Sequence, residues 1–153
     1  MNKIQLIKRT LLTLVIIATV ITGFNCSASS SEGEPWKPEQ LMDPATLAAR
    51  IESGKDVPIL FNIGPSGIIK NAIDIGPGQD AENVEKLKSQ LSKLAKDQEV
   101  VVYCGCCPFK NCPNIRPVFK ALNEAGMTNA HLLNLSENLR VDWIAKGYPM
   151  ASN

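Results

Sequence analysis

The sequence has few of the features that mark a nucleic-acid-binding protein or a histidine-based active site. Its 153 residues carry a net charge of +1, aromatic residues make up 5%, and His131 is the single histidine. Residues 1–25 hold three basic residues and no acidic one, which leaves 13 basic against 15 acidic residues in the remainder. This balance offers no basic patch for DNA or RNA, so we expect no nucleic-acid partner. The length suits one domain with its own core.

The arginine that cysteine-dependent phosphatases require is also missing. In those enzymes it stands six positions after the catalytic cysteine. The residues six positions after Cys104, Cys106 and Cys107 are Lys110, Cys112 and Pro113. We therefore expect neither phosphatase nor arsenate-reductase chemistry of that type. The glycine-rich segments 64–67 and 76–78 match neither common phosphate-binding fingerprint and are typical of turns.

The first 25 residues have the pattern of a signal peptide. Lys3, Lys8 and Arg9 precede an apolar run from Leu11 to Phe24, which is short for a membrane span. Cys26 follows Gly23-Phe24-Asn25, and this site resembles the lipidated cysteine of bacterial lipoproteins. Ordinary cleavage near Ala28 and an uncleaved anchor are the alternatives.

We predict export to the cell envelope or periplasm, with a membrane tether through a lipid on Cys26. Residues 26–38 are rich in Ser, Glu and Pro and are predicted to form a flexible tether before the domain at 39–153. Cysteines in an oxidising compartment pair unless something keeps them reduced or persulfurated.

Within 39–153, amphipathic helices alternate with short apolar strands. The predicted helices begin at Pro44, Ala81, near Arg116 and after Ser136, with Asp43 and Ser136 as caps. The second is expected to reach Lys96, and the last to turn Leu139, Trp143 and Ile144 inward. The predicted strands lie at 58–63, 72–75, 99–103 and 130–135. This order predicts an α/β three-layer sandwich, with a mostly parallel central sheet and helices on both faces.

Four cysteines stand in the nine residues after the clearest strand, 99–103, which ends in Val-Val-Val-Tyr. Cys104 directly follows this strand, at the edge of the sheet where α/β proteins gather their chemistry. Residues 104–116 contain no acid but do contain Lys110 and Arg116, so the local field favours a thiolate. We predict Cys104 as the nucleophile, assisted by Arg116. An anion-binding loop is predicted from Gly105, Cys106, Cys107, Lys110, Asn111, Cys112 and Asn114.

The strand ending in Tyr103-Cys104, the helix closed by Gly126 and the final Trp143-Ile-Ala-Lys-Gly-Tyr-Pro149 resemble the rhodanese-like domain over about residues 39–150. The resemblance implies a sulfurtransferase or persulfide carrier without a cofactor. It would take sulfur from a donor such as thiosulfate and pass it to a thiol acceptor, with a redox protein as a further partner.

This sequence departs from the rhodanese pattern around the cysteine. The family usually has an arginine five residues after the cysteine, whereas Phe109 stands there. Counting back from Gly126 puts Asn114 at the arginine position, so the loop is about five residues longer than usual. The family's Asp-Val-Arg after the first core strand is here Asn62-Ile63-Gly64.

Two other interpretations of the four cysteines stay open. In the first, the cysteines form a metal site, with Cys104, Cys106, Cys107 and Cys112 as candidate ligands for Cu(I) or Zn²⁺. Cu(I), which needs only two or three soft ligands, is favoured because the adjacent residues Cys106 and Cys107 rarely bind one tetrahedral ion together. Alternatively, disulfides staple the loop of an interaction domain without activity. His131, Tyr103 and Trp143 are expected to be structural.

Overall fold

The computed structural model describes residues 33–152 of the chain. The predicted signal peptide at 1–25, the lipidation site Cys26 and most of the predicted tether lie outside the described residues. Among residues 33–152, none of the helices has the length and apolar character to cross a membrane.

The centre of the fold is a five-stranded sheet in which all neighbouring strands run parallel. The strand order is β1-β5-β4-β2-β3, so β4 lies in the middle. The strands are β1 (Leu41–Met42), β2 (Ile59–Asn62), β3 (Ile73–Asp74), β4 (Val100–Tyr103) and β5 (Ala130–Leu133). The predicted strands are all present, with ends that differ by one or two residues. The two-residue edge strand β1 has no counterpart in the prediction.

Helices cover both faces of this sheet, and the sheet separates the hydrophobic core into two parts. The helices are α1 (Pro44–Ser53), α2 (Ala81–Leu91), α3 (Ile115–Glu124) and the single turn α4 (Leu139–Asp142). Apolar residues of α2 and α3 pack on one face, and those of α1 and α4 on the other. Side chains of β4 alternate between the two cores: Val100 and Val102 enter the first, Val101 and Tyr103 the second. The predicted three-layer α/β sandwich is confirmed.

Helix α1 follows its sequence signals closely. The Asp43 carboxylate accepts the backbone N–H of Thr46 at 2.9 Å, and Pro44 occupies the first turn. Gly54 ends the helix with a φ of +68°, a conformation that glycine adopts without strain.

Helix α2 is shorter than predicted, ending at Leu91 instead of Lys96. The Ser92 hydroxyl donates to the carbonyl of Ser89 at 2.9 Å, and the backbone N–H groups of Lys93 and Leu94 bond three residues back. These contacts tighten the chain into turns because a serine side chain competes for helical carbonyls.

The last helical segment also differs from its prediction. Asn138, not Ser136, caps α4, and its side-chain oxygen accepts the N–H of Val141 at 3.0 Å. The helix stops after one turn and is followed by a 3₁₀ turn at Ile144–Lys146. This change of helix type leaves Ile144 46% exposed, so its predicted inward position is wrong, whereas Leu139 and Trp143 are buried as predicted.

The packed part of the chain begins before residue 39, the predicted domain boundary. Trp36 is buried against the rings of Phe109 and Phe119, with ring centroids 6.0 and 5.8 Å away. Trp36, which the sequence assigned to the flexible tether at 26–38, is therefore part of the hydrophobic core of the domain.

Candidate active site

Cys104 lies at the carboxyl end of β4, the central strand of the sheet. Its residue surface is 1% exposed. Because neighbouring strands are parallel, the residues that follow β2 reach the same edge of the sheet. Cys104, the predicted nucleophile, therefore lies at this edge as the sequence indicated, and the structure shows which residues surround it.

Gly64 forms one wall of the Cys104 pocket. A Cβ at this position would lie 2.5 Å from the Cys104 Sγ and 3.2 Å from its Cα. Atoms cannot approach that closely, so the sulfur has its place only because residue 64 has no side chain. The pocket therefore depends on this glycine.

The buried Asn62 side chain fixes the turn that carries Gly64. Its Oδ1 accepts the Gly64 N–H at 3.2 Å, and its Nδ2 donates to the Gly64 carbonyl at 3.2 Å and to Asp74 Oδ1 at 3.0 Å. A short polar side chain that bonds to its own neighbouring backbone is the usual means of holding a turn. Asn62 thus positions the pocket wall without touching the sulfur.

The loop between β4 and α3 is anchored near its start and at its middle. The Gly105 carbonyl accepts the N–H of Leu139 at 3.0 Å, and the Phe109 N–H donates to the Leu135 carbonyl at 3.1 Å. Side-chain space at Gly105 is filled by Leu139 and Ser66. These contacts hold the four cysteines over the end of the sheet.

The four cysteines are free thiols, two buried and two accessible to solvent. Cys106 is the central member of the group: its Sγ lies 3.2 Å from that of Cys104, 3.3 Å from that of Cys107 and 4.0 Å from that of Cys112. Cys104 and Cys112 are buried, whereas Cys106 is exposed. The loop predicted to bind an anion is therefore lined by sulfur.

Asn114 contacts the Cys104 sulfur from the start of α3. Its Nδ2 donates to Cys104 Sγ at 3.3 Å, and its Oδ1 accepts the backbone N–H of Gln79 at 3.1 Å. The second bond fixes the orientation of the amide, so the N–H₂ group faces the sulfur. Backbone atoms of Asn114 in turn press against Gly78, where a Cβ would overlap its carbonyl oxygen. The position that the family resemblance assigned to an arginine therefore lies next to the Cys104 sulfur.

The surroundings of Cys104 favour the neutral thiol. A hydrogen bond with Cys112, followed by burial, raises the pKa of the Cys104 thiol well above its ordinary value. The backbone N–H and side chain of Cys106 and the amide of Asn114 oppose this rise, because each stabilises a thiolate. Burial, and then the Cys106 thiol, raises the pKa of Cys107 as well. The net direction is opposite to the lowering expected from Lys110 and Arg116.

Lys110, Asn111 and Arg116 are exposed to solvent. Arg116 donates from Nη1 to the Lys110 carbonyl at 2.9 Å, lies 5.4 Å from the centroid of the Trp36 ring and approaches Glu34 at 3.8 Å. The Lys110 Nζ lies 6.0 Å from the centroid of the Phe109 ring, and Asn111 is exposed. Among residues 33–152, no hydrogen bond joins these three side chains to Cys104. Their predicted part in anion binding stays a prediction.

The three residues expected to be structural have partners of their own. Burial raises the pKa of Tyr103 to about 12, and its hydroxyl accepts the Ile69 N–H at 2.9 Å. Trp143 is fully buried and donates to the Pro149 carbonyl at 3.0 Å. His131 is half-buried on β5, 3.0 Å from Asn129 Oδ1.

Two residues of the pocket, Gly64 and Asn62, were not predicted as site residues. A signal was present in the sequence, because an Asn and a Gly at the end of a buried strand indicate a special turn at the reactive edge. What was missing was the pairing of β2 directly with β4, which the sequence does not state.

Solved structures of other proteins share this arrangement of strands and helices. The rhodanese-like domain of the Anabaena sp. protein Alr3790 superposes with a TM-score of 0.54 at 19% identity, covering 74% of this chain and 80% of that one. The chain has the rhodanese-like fold. A full-length protein from Lactobacillus plantarum gives a TM-score of 0.55 at 16% identity, covering 75% of this chain and 89% of that one. No family model and no curated protein matches the sequence. Within this rhodanese-like fold, Cys104 belongs to a cluster of three thiols with Cys106 and Cys112.

Proposed function

We propose that this protein is a sulfurtransferase or persulfide carrier in which Cys104 bears the transferred sulfur. The observation that carries the proposal is the position of Cys104 at the end of the central strand of a rhodanese-like fold. Its sulfur there meets a glycine wall and two N–H donors, from Asn114 and the Cys106 backbone. Such donors stabilise an anion on sulfur and on a second sulfur attached to it.

In the loading step, the Cys104 thiolate attacks the outer sulfur of a donor such as thiosulfate. The S–S bond of thiosulfate breaks, sulfite leaves with the electron pair, and Cys104 retains a persulfide. Cys104 is 1% exposed and touches the exposed Cys106, so the donor reaches it when the Cys106 side chain moves aside. Because the pKa of Cys104 is raised, loading accelerates as the pH rises.

In the transfer step, a thiol takes the outer sulfur or releases it. An external acceptor thiolate that attacks the outer sulfur becomes the new persulfide and restores the Cys104 thiol. Cys106, with its Sγ 3.2 Å from that of Cys104, is also placed to attack Cys104 itself. That reaction forms a Cys104–Cys106 disulfide and releases hydrogen sulfide, after which a dithiol redox partner reduces the disulfide.

The proposed setting is the cell envelope, with the domain tethered to the membrane through a lipid on Cys26. The signal-like segment 1–25 and the position of Cys26 support this part of the proposal. Cys26→Ser should release the protein from the membrane fraction, with Ser27→Ala as a control that stays attached. Equal membrane attachment of both variants would refute the lipid anchor.

Anaerobic incubation with thiosulfate, followed by intact-mass measurement, tests the proposed function. The reduced protein should gain one sulfur atom, and Cys107→Ser should still gain it because Cys107 lies outside the three-thiol cluster. Cys104→Ser should not gain a stable sulfur. Persistent gain by Cys104→Ser would show that the nucleophile is another residue. No gain by any form, with all four thiols titrated as free, would refute sulfur transfer.

A further inference from the structure

Three of the four loop sulfurs surround a common point. The Sγ atoms of Cys104, Cys106 and Cys112 all lie within 4.8 Å of one another. The fourth, Cys107, is 3.3 Å from Cys106 but does not belong to this group. The structure thus separates three cysteines from one that the sequence could not distinguish.

The donor set at this point consists of sulfur alone. Residues 104–116 contain no Asp, Glu or His, so the loop supplies neither carboxylate oxygen nor imidazole nitrogen. Thiolate sulfur is a soft ligand that selects Cu(I) over hard cations, and Cu(I) is satisfied by two or three such ligands. Structural zinc sites use four protein ligands, and within the described residues this group provides three.

We propose that Cys104, Cys106 and Cys112 form a binding site for one Cu(I) ion coordinated by three thiolates. Cys104 and Cys112 form its buried floor, and the exposed Cys106 lies at its opening to solvent. An ion bound there is shielded on the protein side and reachable from solvent on the Cys106 side. A thiol-bearing partner can therefore deliver or remove it by stepwise exchange of ligands.

The residues behind the cluster are already ordered to support it. Asn114 donates to the Cys104 sulfur at 3.3 Å, which is the kind of outer contact that orients a ligand in metal sites. Gly64 leaves room for that sulfur, and the Gly105 carbonyl is tied to Leu139. The Cys104 ligand is therefore held in place before an ion arrives.

Binding involves no oxidation or reduction. Copper enters and stays as Cu(I), three Cu–S bonds form, and each thiol that ligates releases its proton to solvent. A bound copper ion occupies the Cys104 sulfur, so copper binding and persulfide formation exclude one another at this site.

Competition with a chromophoric Cu(I) chelator under anaerobic, reducing conditions tests the site. All samples are the full chain with Cys26→Ser, so that only the loop thiols count. One Cu(I) per chain should bind, and X-ray absorption should show three sulfur ligands. Loss of a residue that only supports a ligand costs roughly tenfold or more in metal affinity, so Cys112→Ser, which removes a ligand, should weaken Cu(I) binding by at least that factor. The matched control Cys107→Ser should change the Cu(I) affinity by less than about threefold, well below that factor.

Three outcomes would overturn the proposal: no binding that competes with the chelator, equal weakening by Cys107→Ser and Cys112→Ser, or a stoichiometry above one ion per chain. No sulfur donor is present in this experiment. Its failure therefore leaves sulfur transfer untouched, and failure of thiosulfate loading leaves the copper site untouched.

Discussion

The hydrogen bond from Asn114 to the Cys104 sulfur provides a sharp test of how the surrounding residues control the reactivity of Cys104. Asn114→Asp keeps the size of the side chain and leaves an oxygen to accept the Gln79 N–H, now 3.1 Å away. The atom facing Cys104 changes from an N–H₂ donor at 3.3 Å to an oxygen of a carboxylate. A donor to the thiolate is thus replaced by a negative charge.

The magnitude follows from the lost bond. A hydrogen bond to a charged group contributes about 1.5–3 kcal/mol, and one pKa unit corresponds to about 1.36 kcal/mol. We expect the pKa of Cys104 to rise by about one to two units, with repulsion from the new carboxylate adding to the rise. At a pH below the pKa of Cys104, reactions of its thiolate should be roughly tenfold slower than in the wild type for each unit by which the pKa rises.

The assay is alkylation of Cys104 by iodoacetamide as a function of pH, quantified for the peptide that contains this cysteine. Asn111→Asp adds the same charge to the same loop at an exposed position and is the matched control. Asn114→Leu, which removes the donor without adding charge, should raise the midpoint by less than Asn114→Asp. Equal midpoints for Asn114→Asp and Asn111→Asp, in folded proteins, would refute the role assigned to Asn114.

Three further expectations follow from individual contacts. Cys112→Ala should lower the pH midpoint of Cys104 alkylation, because the hydrogen bond with Cys112 is the largest contribution to its raised pKa; an unchanged midpoint would contradict this cause. Gly64→Ala should cost about 1–3 kcal/mol in denaturant unfolding and abolish sulfur loading, since the added carbon would lie 2.5 Å from the Cys104 sulfur; wild-type stability with full loading would show that the pocket has spare room. Arg50 lowers the pKa of Glu99 through a side-chain hydrogen bond. The stabilisation from this pair is fully present above the ordinary pKa of a Glu side chain, and it is lost as the pH falls through the lowered pKa of Glu99. Glu99→Gln should remove about 0.5–1 kcal/mol near neutral pH, discounted for partial exposure, and flatten the acid limb of the stability profile; an unchanged acid limb would argue against this pair.

Much of the fold was predictable because its strongest signals are local. Burial of β4 on both faces follows from three consecutive valines, and the start of α1 follows from Asp43 and Pro44. The ends of α2 and α4 were not predictable in this way. They depend on hydrogen bonds of Ser92 and Asn138 that compete with regular helix, and the choice among such bonds is made by tertiary packing.

The candidate site was predictable in position but not in detail. The strand end located Cys104, and counting back from Gly126 gave Asn114 the position of the family's arginine, which the structure shows to be next to the Cys104 sulfur. The direction of the Cys104 pKa shift was not predictable from net charge, because it depends on which thiol contacts Cys104 inside the loop. The wall at Gly64 depends likewise on strand pairing, which a single sequence does not state.

The most direct test of sulfur transfer is to locate the sulfur within the loop. Reduced protein is loaded anaerobically with thiosulfate, trapped with an alkylating agent and fragmented so that Cys104, Cys106, Cys107 and Cys112 are resolved by mass spectrometry. We expect one additional sulfur, on Cys104. Sulfur found mainly on Cys107 or Cys112, or on none of the four, would contradict the account.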